Sequence, residues 1–241
     1  MFTKFISLII VYSFIVLHGI FNTNNNKNHK NSFVEKSNIY NHNIQHFYDS
    51  LQLNIVGLNK SVFELAIVGY NQLATQRKIT NTNTIAIVDF DMPSNTKRLF
   101  VVDLMHRKLL FNTYVAHGKN SGLQTANNFS NAPESNKSSL GFYATQNTYL
   151  GKHGYSLQLN GLEKGFNDNA MSRGIVVHAA AYVNETIAQQ QGYIGRSLGC
   201  PAIPEKMHTN IINAIANGAC FFIYANNYNY LHHSTFLSRN S

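Results

Sequence analysis

The sequence predicts a mainly β fold of the α+β class, preceded by a short helical segment. Three strand-length runs rich in Val, Ile, Leu and Phe, at residues 85–90, 99–104 and 109–116, are separated only by short turn-forming segments. Strands joined by such short connections form an antiparallel meander, because parallel neighbours need a longer crossover. A further run, at residues 219–225, is apolar on both faces, which is typical of a central strand.

The N-terminal part of the chain falls into segments of different composition. Residues 1–21 place Lys4 before a largely apolar run at 5–21, as in a secretory signal peptide or an uncleaved N-terminal anchor. We therefore expect export to the periplasm or the cell envelope, with membrane attachment through residues 5–21 if the segment is retained. Residues 22–45 are rich in Asn and poor in apolar side chains, which predicts a linker.

Residues 46–80 are predicted to be helical. The clearer of two helices begins at Ser61, which forms a capping-box pattern with Glu64, and a helical spacing of apolar residues follows. This segment precedes the strands and is expected to pack against them. At the other end of the chain, residues 227–241 show little pattern and are interpreted as a tail.

The stretch between the first strands and the end of the chain alternates loops with further regular elements. Residues 117–139 are polar and lack a regular pattern, and such length is typical of a functional loop or lid. Pro204 and Gly218 bracket an apolar stripe at helical spacing, which predicts a helix between them. Additional strand patterns occur at residues 141–145, 156–159 and 174–178.

Composition limits the classes of partner. The chain has 241 residues, enough for one ordinary domain with an appendage, and 44% are hydrophobic, which suffices for a core. Only 12% are charged, and the net charge of +8 comes from scattered Lys and Arg residues. A generally basic surface suits an anionic polymer, whereas the absence of a basic run or a reader motif argues against nucleic-acid binding.

The residues best suited to chemistry lie between positions 174 and 204. Gly199 precedes Cys200 in a glycine-rich turn, and His178 ends a β-branched run upstream. A thiol beside free peptide N–H groups supplies a nucleophile and an oxyanion hole in one turn. A neighbouring imidazole would lower the thiol pKa and remove its proton. Considered alone, a cysteine in such a turn fits a structural role equally well.

The second cysteine has a different environment. Cys220 lies in a buried-strand pattern, so we expect two free thiols, Cys200 and Cys220, although a disulfide is the usual pairing in exported chains. His178 and His208 complete a set of scattered possible ligands that lacks CxxC or HExxH spacing, and no metal site is expected. No cofactor is expected either, because no glycine-rich phosphate loop joins a strand to a helix.

The stretch at 174–204 resembles the L,D-transpeptidases, and most closely the murein L,D-transpeptidase catalytic-domain proteins. The family pattern is a histidine, a variable segment and then Ser-His-Gly-Cys. His178 and residues 197–200 match it, except that Leu198 stands where most of the family has its second histidine. Residues 196–202 fit the R-S-x-G-C-P-A form of the subfamily. The resemblance extends from about residue 84 to 225 and includes the segments 115–122, 138–143 and 151–163.

The resemblance implies a fold, a reaction and a catalytic set. Residues 84–226 would form an L,D-transpeptidase-like catalytic domain, a β-sandwich or barrel-like mixed sheet with a few helices. Cys200 would be the nucleophile and His178 the base, with the ring oriented by the backbone carbonyl of Ala179. The thiol would attack a peptidoglycan tetrapeptide stem and release D-alanine, and an amine of another stem would complete a 3→3 cross-link. Attack by water would instead give an L,D-carboxypeptidase.

Several neighbours are candidate substrate-binding residues: Arg196, Ser197, Gly199 and His153. Arg196 would bind a substrate carboxylate as a bidentate pair, and an ordinary surface arginine is equally consistent with the sequence. His153 precedes a glycine in a loop, where it would either line the pocket or stay exposed. A catalytically silent wall-binding protein is the alternative from another class, and the presence of both Cys200 and His178 disfavours it.

Overall fold

The structure is a computed structural model that describes residues 43–237. The predicted signal or anchor segment at 1–21 lies outside the described residues, as does the predicted linker up to residue 42. Residues 43–50 are helical, so the helical segment begins before the expected residue 46 and the predicted linker is too long by three residues. None of the described helices is both long and apolar enough to span a membrane.

The described chain alternates strands with short helices. The strands are β1 (Asn81–Asp89), β2 (Leu99–Asp103), β3 (Lys108–Thr113), β4 (Gly141–Gly151), β5 (Gly154–Gly161), β6 (Val176–Ala179), β7 (Ala202–Ile203) and β8 (Ala219–Tyr224). The helices are α1 (43–50), α2 (Lys60–Thr75), α3 (Glu185–Gln191), α4 (His208–Ile215) and α5 (Tyr228–His233).

All these strands belong to one mixed sheet in the order β3-β2-β1-β8-β4-β5-β6-β7. The antiparallel β1–β2–β3 meander is confirmed, and so is the central position of β8, whose residues are all buried. The sheet curls back on itself, because the N–H of Ala116, just after β3, donates to the carbonyl of Ala202 in β7 at 2.8 Å. The predicted mainly β, barrel-like sheet is therefore confirmed.

Helix α2 is part of the core. Phe63, Ala66 and Leu73 on one face of this helix are fully buried. The helix approaches the sheet at Gly69, where a Cβ would lie only 2.0 Å from the Phe142 ring. The helical segment thus packs against the strands through a residue that must lack a side chain.

Helix α2 begins differently from the prediction. Its N-cap is Asn59, whose side-chain oxygen accepts from the N–H of Ser61 at 2.9 Å. Ser61 lies inside the helix, and Glu64 pairs with Lys60 at 3.4 Å, so the capping-box prediction was wrong. Asn and Ser are equally good N-caps, and sequence alone did not distinguish the two positions.

The C-terminal segment predicted as a tail contains helix α5, which is tied to the sheet by a buried carboxylate. Glu163 accepts hydrogen bonds from the N–H of Phe142 (2.7 Å) and the hydroxyl of Tyr230 (2.9 Å), and also from the hydroxyl of Ser234. Burial raises the pKa of Glu163, and these donors oppose the shift. One acidic side chain thereby joins β4, the β5–β6 connection and α5.

We predict that Tyr230→Phe lowers the free energy of unfolding by about 1.5–3 kcal/mol at pH values above the raised pKa of Glu163, the usual contribution of a hydrogen bond to a charged group. The loss should shrink as the pH falls through the raised pKa of Glu163, because the neutral acid accepts a weaker bond. Urea denaturation at several pH values measures both effects. Tyr228→Phe is the matched control, since Tyr228 is 74% exposed on the same helix. Equal stability losses in the two variants would contradict the prediction.

Candidate functional site

Residues 197–200, just before β7, form the turn that carries Cys200, called the cysteine turn below, and hydrogen bonds of Ser197 hold it together. The Ser197 hydroxyl accepts from the N–H of Gly199 at 3.0 Å and donates to the carbonyl of Cys200 at 2.6 Å. Gly199 has φ +127°, and a Cβ there would lie 2.9 Å from the carbonyl oxygen of Lys137. A glycine is therefore required at this position both by its backbone conformation and by the close approach of the 117–139 loop.

His178 is buried near the end of β6. Its Nδ1 lies 2.8 Å from the carbonyl oxygen of Ala179. A carbonyl only accepts, so Nδ1 carries the proton and Nε2 keeps its lone pair. The ring of His153, at the tip of the β4–β5 hairpin, stacks on the His178 ring with centroids 4.4 Å apart. The structure therefore holds the imidazole in the tautomer and orientation that a general base needs.

Backbone contacts place the cysteine beside the strand that carries this histidine. Strands β6 and β7 are parallel, with His178 opposite Ala202, and Cys200 lies two residues before β7. The half-buried Cys200 thiol donates to the carbonyl of Gly174 at 3.6 Å, and the N–H of Val176 stabilises the thiolate form. The thiol therefore lies against the backbone of Gly174 and Val176, and His178 is two residues further along β6 from Val176.

Burial sets the resting protonation of both groups. It raises the pKa of the Cys200 thiol, against the opposing influence of the Val176 N–H, Arg173 and Lys152. It lowers the pKa of His178, and the nearby His153 and Lys152 lower it further. The pair therefore rests as a neutral thiol and a neutral imidazole. Desolvation thus outweighs the neighbouring charges in setting the thiol pKa, and the predicted influence of the His178 imidazole on it stays a prediction.

Three residues near the thiol were not singled out from the sequence. Lys152 lies beside His153 in the hairpin turn and acts electrostatically on both Cys200 and His178. Arg173, just before β6, donates to the carbonyl of Lys137 at 2.8 Å and thus holds the 117–139 loop against the site. Tyr182, which follows β6, has its pKa raised to about 12 by burial and by the thiolate charge. None belongs to a pattern that indicates chemistry, although Lys152 lies in the 151–163 segment.

The predicted substrate-binding residues occupy different environments. Arg196 is exposed, and its Nη1 donates to the carbonyls of Lys119 and Gly122, each at 3.2 Å. Ser197 is buried within the turn, and Gly199 uses its N–H on Ser197 and its carbonyl on Ser138. Only His153 therefore combines an exposed position with direct contact to His178.

Two further titratable residues, His117 and Cys220, are fully buried in the interior of the fold. His117 is fully buried, and its Nδ1 accepts from Arg98 at 2.7 Å. Burial and the Arg98 charge lower the pKa of His117 to about 4. Cys220 is a free thiol in β8 with a pKa raised by burial, and Cys200 is also free. Within residues 43–237, no three His, Cys, Asp or Glu side chains are grouped to hold a metal ion.

Comparison with known proteins places this chain in a family. The family profile for the L,D-transpeptidase catalytic domain matches residues 54–224, which begins upstream of the expected residue 84 and includes α2. A search of curated proteins found no significant match.

The solved structures to which this chain is similar have low sequence identity to it. An L,D-transpeptidase from Mycobacterium smegmatis is 13% identical over 59% of each chain, with a TM-score of 0.38. An L,D-transpeptidase from Stackebrandtia nassauensis is 14% identical over 77% of each chain, with a TM-score of 0.37. A helical cell-shape-determining protein from Campylobacter jejuni is 12% identical over 68% of this chain and 57% of its own, with a TM-score of 0.40.

The family assignment therefore depends on the profile match. The match to the first of these structures spans less than two thirds of that protein's length, and the identities are too low for roles to be transferred. The profile, in contrast, covers most of this chain and includes both His178 and Cys200. The chain belongs to the L,D-transpeptidase catalytic-domain family.

Proposed function

We propose that the protein is an exported cysteine acyltransferase that forms 3→3 cross-links between peptidoglycan stem peptides. The observation that carries this proposal is that the Cys200 thiol lies against the backbone of Gly174 and Val176, on the segment whose His178 imidazole is fixed by the Ala179 carbonyl at 2.8 Å. Export is proposed from residues 1–21, which lie outside the described range.

The first step forms a thioester. When a stem peptide enters, the thiol leaves the Gly174 carbonyl and transfers its proton to Nε2 of His178, and the sulfur attacks the carbonyl of the third stem residue. The N–H of Val176 and the charges of Arg173 and Lys152 stabilise the thiolate as it forms. The resting thiol needs this help because burial disfavours its ionisation.

The second half of the step expels D-alanine. The oxyanion of the tetrahedral intermediate requires a peptide N–H, and the Cys200 N–H is the candidate because that of Gly199 is bonded to Ser197. As the C–N bond breaks, His178 returns its proton to the departing amine. An amine of a second stem then attacks the thioester and His178 accepts the amine proton. As the C–S bond breaks, His178 returns that proton to the departing thiolate, which restores the resting pair.

A hydrolase with the same site is the second candidate. Water in place of the acceptor amine would release a tripeptide stem, and the same two residues would serve both reactions. The assembled Cys200–His178 pair disfavours a catalytically silent wall-binding protein, since such a protein has no need of an oriented imidazole.

We expect purified protein incubated with tetrapeptide-containing muropeptides to produce 3→3 cross-linked dimers. Mass spectrometry of the products distinguishes the two enzymatic candidates, because hydrolysis yields only tripeptide monomers and free D-alanine. Unchanged muropeptides, together with binding to intact wall material, would instead support the silent wall-binding protein.

The covalent intermediate gives a direct test of the nucleophile. A carbapenem acylates reactive thiols, so the intact wild-type protein should gain one adduct, and Cys200→Ala should gain none and lose all transfer. Cys220→Ala is the matched control, because Cys220 is fully buried in β8 and should not contribute. An adduct that persists in Cys200→Ala would refute the assignment.

The base is tested by His178→Gln. Loss of a general base costs about 10²–10⁴-fold in rate, so acylation should fall by that order and partly recover at high pH as the thiol ionises unaided. In the wild type, acylation should decline only as the pH falls through the lowered pKa of His178, since protonated imidazole cannot accept a proton. Stopped-flow acylation across pH measures both, and EDTA should change neither. Wild-type acylation rates in the variant would exclude His178 as the base.

A further inference from the structure

The carbonyl of Gly199 is held by a serine from a distant part of the chain. Ser138 is fully buried, and its hydroxyl lies 3.2 Å from the Gly199 carbonyl oxygen and 3.0 Å from the N–H of Gly118. An amide N–H can only donate, so the Ser138 oxygen accepts from Gly118 and its proton is directed to Gly199. The direction of this bond is therefore unambiguous.

This bond fixes the one peptide of the turn that Ser197 leaves unrestrained. Ser197 holds the N–H of Gly199 and the carbonyl of Cys200, which belong to the peptides on either side. The 199–200 peptide carries the Gly199 carbonyl and the Cys200 N–H, which point in opposite directions because a trans peptide is planar. Because Ser138 is buried and holds this carbonyl, the Cys200 N–H points away from Ser138.

We propose that Ser138 is a positioning residue for acyl transfer, whose hydroxyl keeps the 199–200 peptide in the orientation that offers the Cys200 N–H to the oxyanion. Without this bond, Gly199 at φ +127° has no side chain to oppose a flip of that peptide. The inference rests on the proposed function and deepens it, since it concerns how the same site stabilises its intermediate.

Ser138 is itself held in place by its surroundings. Its N–H donates to the hydroxyl of the buried Ser121 at 2.9 Å, and its carbonyl accepts from the N–H of Ser130 at 3.0 Å. Arg173 binds the preceding carbonyl, that of Lys137, at 2.8 Å. The hydroxyl therefore has a fixed position from which it can orient the turn.

The test compares two reactions of the same thiol. Acylation by a carbapenem passes through a tetrahedral oxyanion, whereas alkylation by iodoacetamide is a direct displacement that forms none. Ser138→Ala should lower the acylation rate about 10²–10³-fold, the usual cost of losing one oxyanion donor, and should leave alkylation of Cys200 at the wild-type rate. Peptide mapping keeps the Cys200 signal separate from that of Cys220.

Control variants separate positioning from general stability. Thr145→Val removes another fully buried hydroxyl, which donates to the carbonyl of Ile215 at 2.6 Å and accepts from the N–H of Ala219 at 2.8 Å. These residues lie outside the cysteine turn, so the variant should change neither the acylation rate nor the alkylation rate. Ser138→Thr keeps the hydroxyl, so this variant should be acylated at close to the wild-type rate. Ser121→Ala loosens Ser138 without removing its hydroxyl and should lower acylation alone, by a smaller factor.

Each outcome decides the proposal. Wild-type acylation in Ser138→Ala, or equal losses of acylation and alkylation, would overturn it. If Ser138→Ala does not fold, Ser121→Ala decides, and unchanged acylation in that variant would count against the role of Ser138. If the wild type takes no acyl adduct although Cys200 is alkylated, the proposed function fails, and this inference fails with it.

Discussion

The position of the cysteine depends on the backbone bonds that close the sheet. In the segment after β3, the N–H of Ala116 donates to the carbonyl of Ala202 at 2.8 Å. The His117 carbonyl accepts from the N–H of Ser197 at 2.9 Å, and the N–H of Lys119 donates to the Ser197 carbonyl at 2.8 Å. Each bond contributes only about 1 kcal/mol, but together they attach the cysteine turn to one end of the meander. The opposite edge of β7 pairs with β6, so closure brings together two segments that local structure alone would leave apart.

Buried polar groups support this closure from inside. Arg98 is fully buried, and its guanidinium donates to the carbonyls of Met92 and Val115 and to Nδ1 of His117. Burial lowers the pKa of Arg98 to about 9 and that of His117 to about 4, so the histidine stays neutral and accepts. A buried donor without an acceptor costs about 1–3 kcal/mol, which makes this arrangement sensitive to the loss of any one partner. The strands predicted from apolar patterns are thus oriented by polar contacts that those patterns do not reveal.

The sequence predicted the elements whose signals are local. The meander and β8 were evident because β-branched runs and short turns are properties of neighbouring residues, and Cys200 and His178 were singled out as candidates by a pattern within one stretch. Helix α5 was missed because its six residues have no periodicity and are held by Glu163, which comes from the β5–β6 connection. Ser138 lies in the segment 138–143 of the resemblance but was assigned no role, because it contacts Gly199, a residue distant in sequence, only in the folded chain.

The thiol pKa shows why a site can be located from sequence while its electrostatics cannot. Residue types near Cys200 are basic, and their charges alone would favour the thiolate, yet burial is the largest influence and raises the pKa. Desolvation depends on how every surrounding element packs, which no single stretch encodes. The consequence is chemical. Oxidation of a cysteine follows its thiolate character and its exposure, so the raised pKa of the half-buried Cys200 thiol slows its oxidation. In the proposed mechanism, removal of the thiol proton by His178 supplies the thiolate at the moment when a substrate carbonyl is in reach.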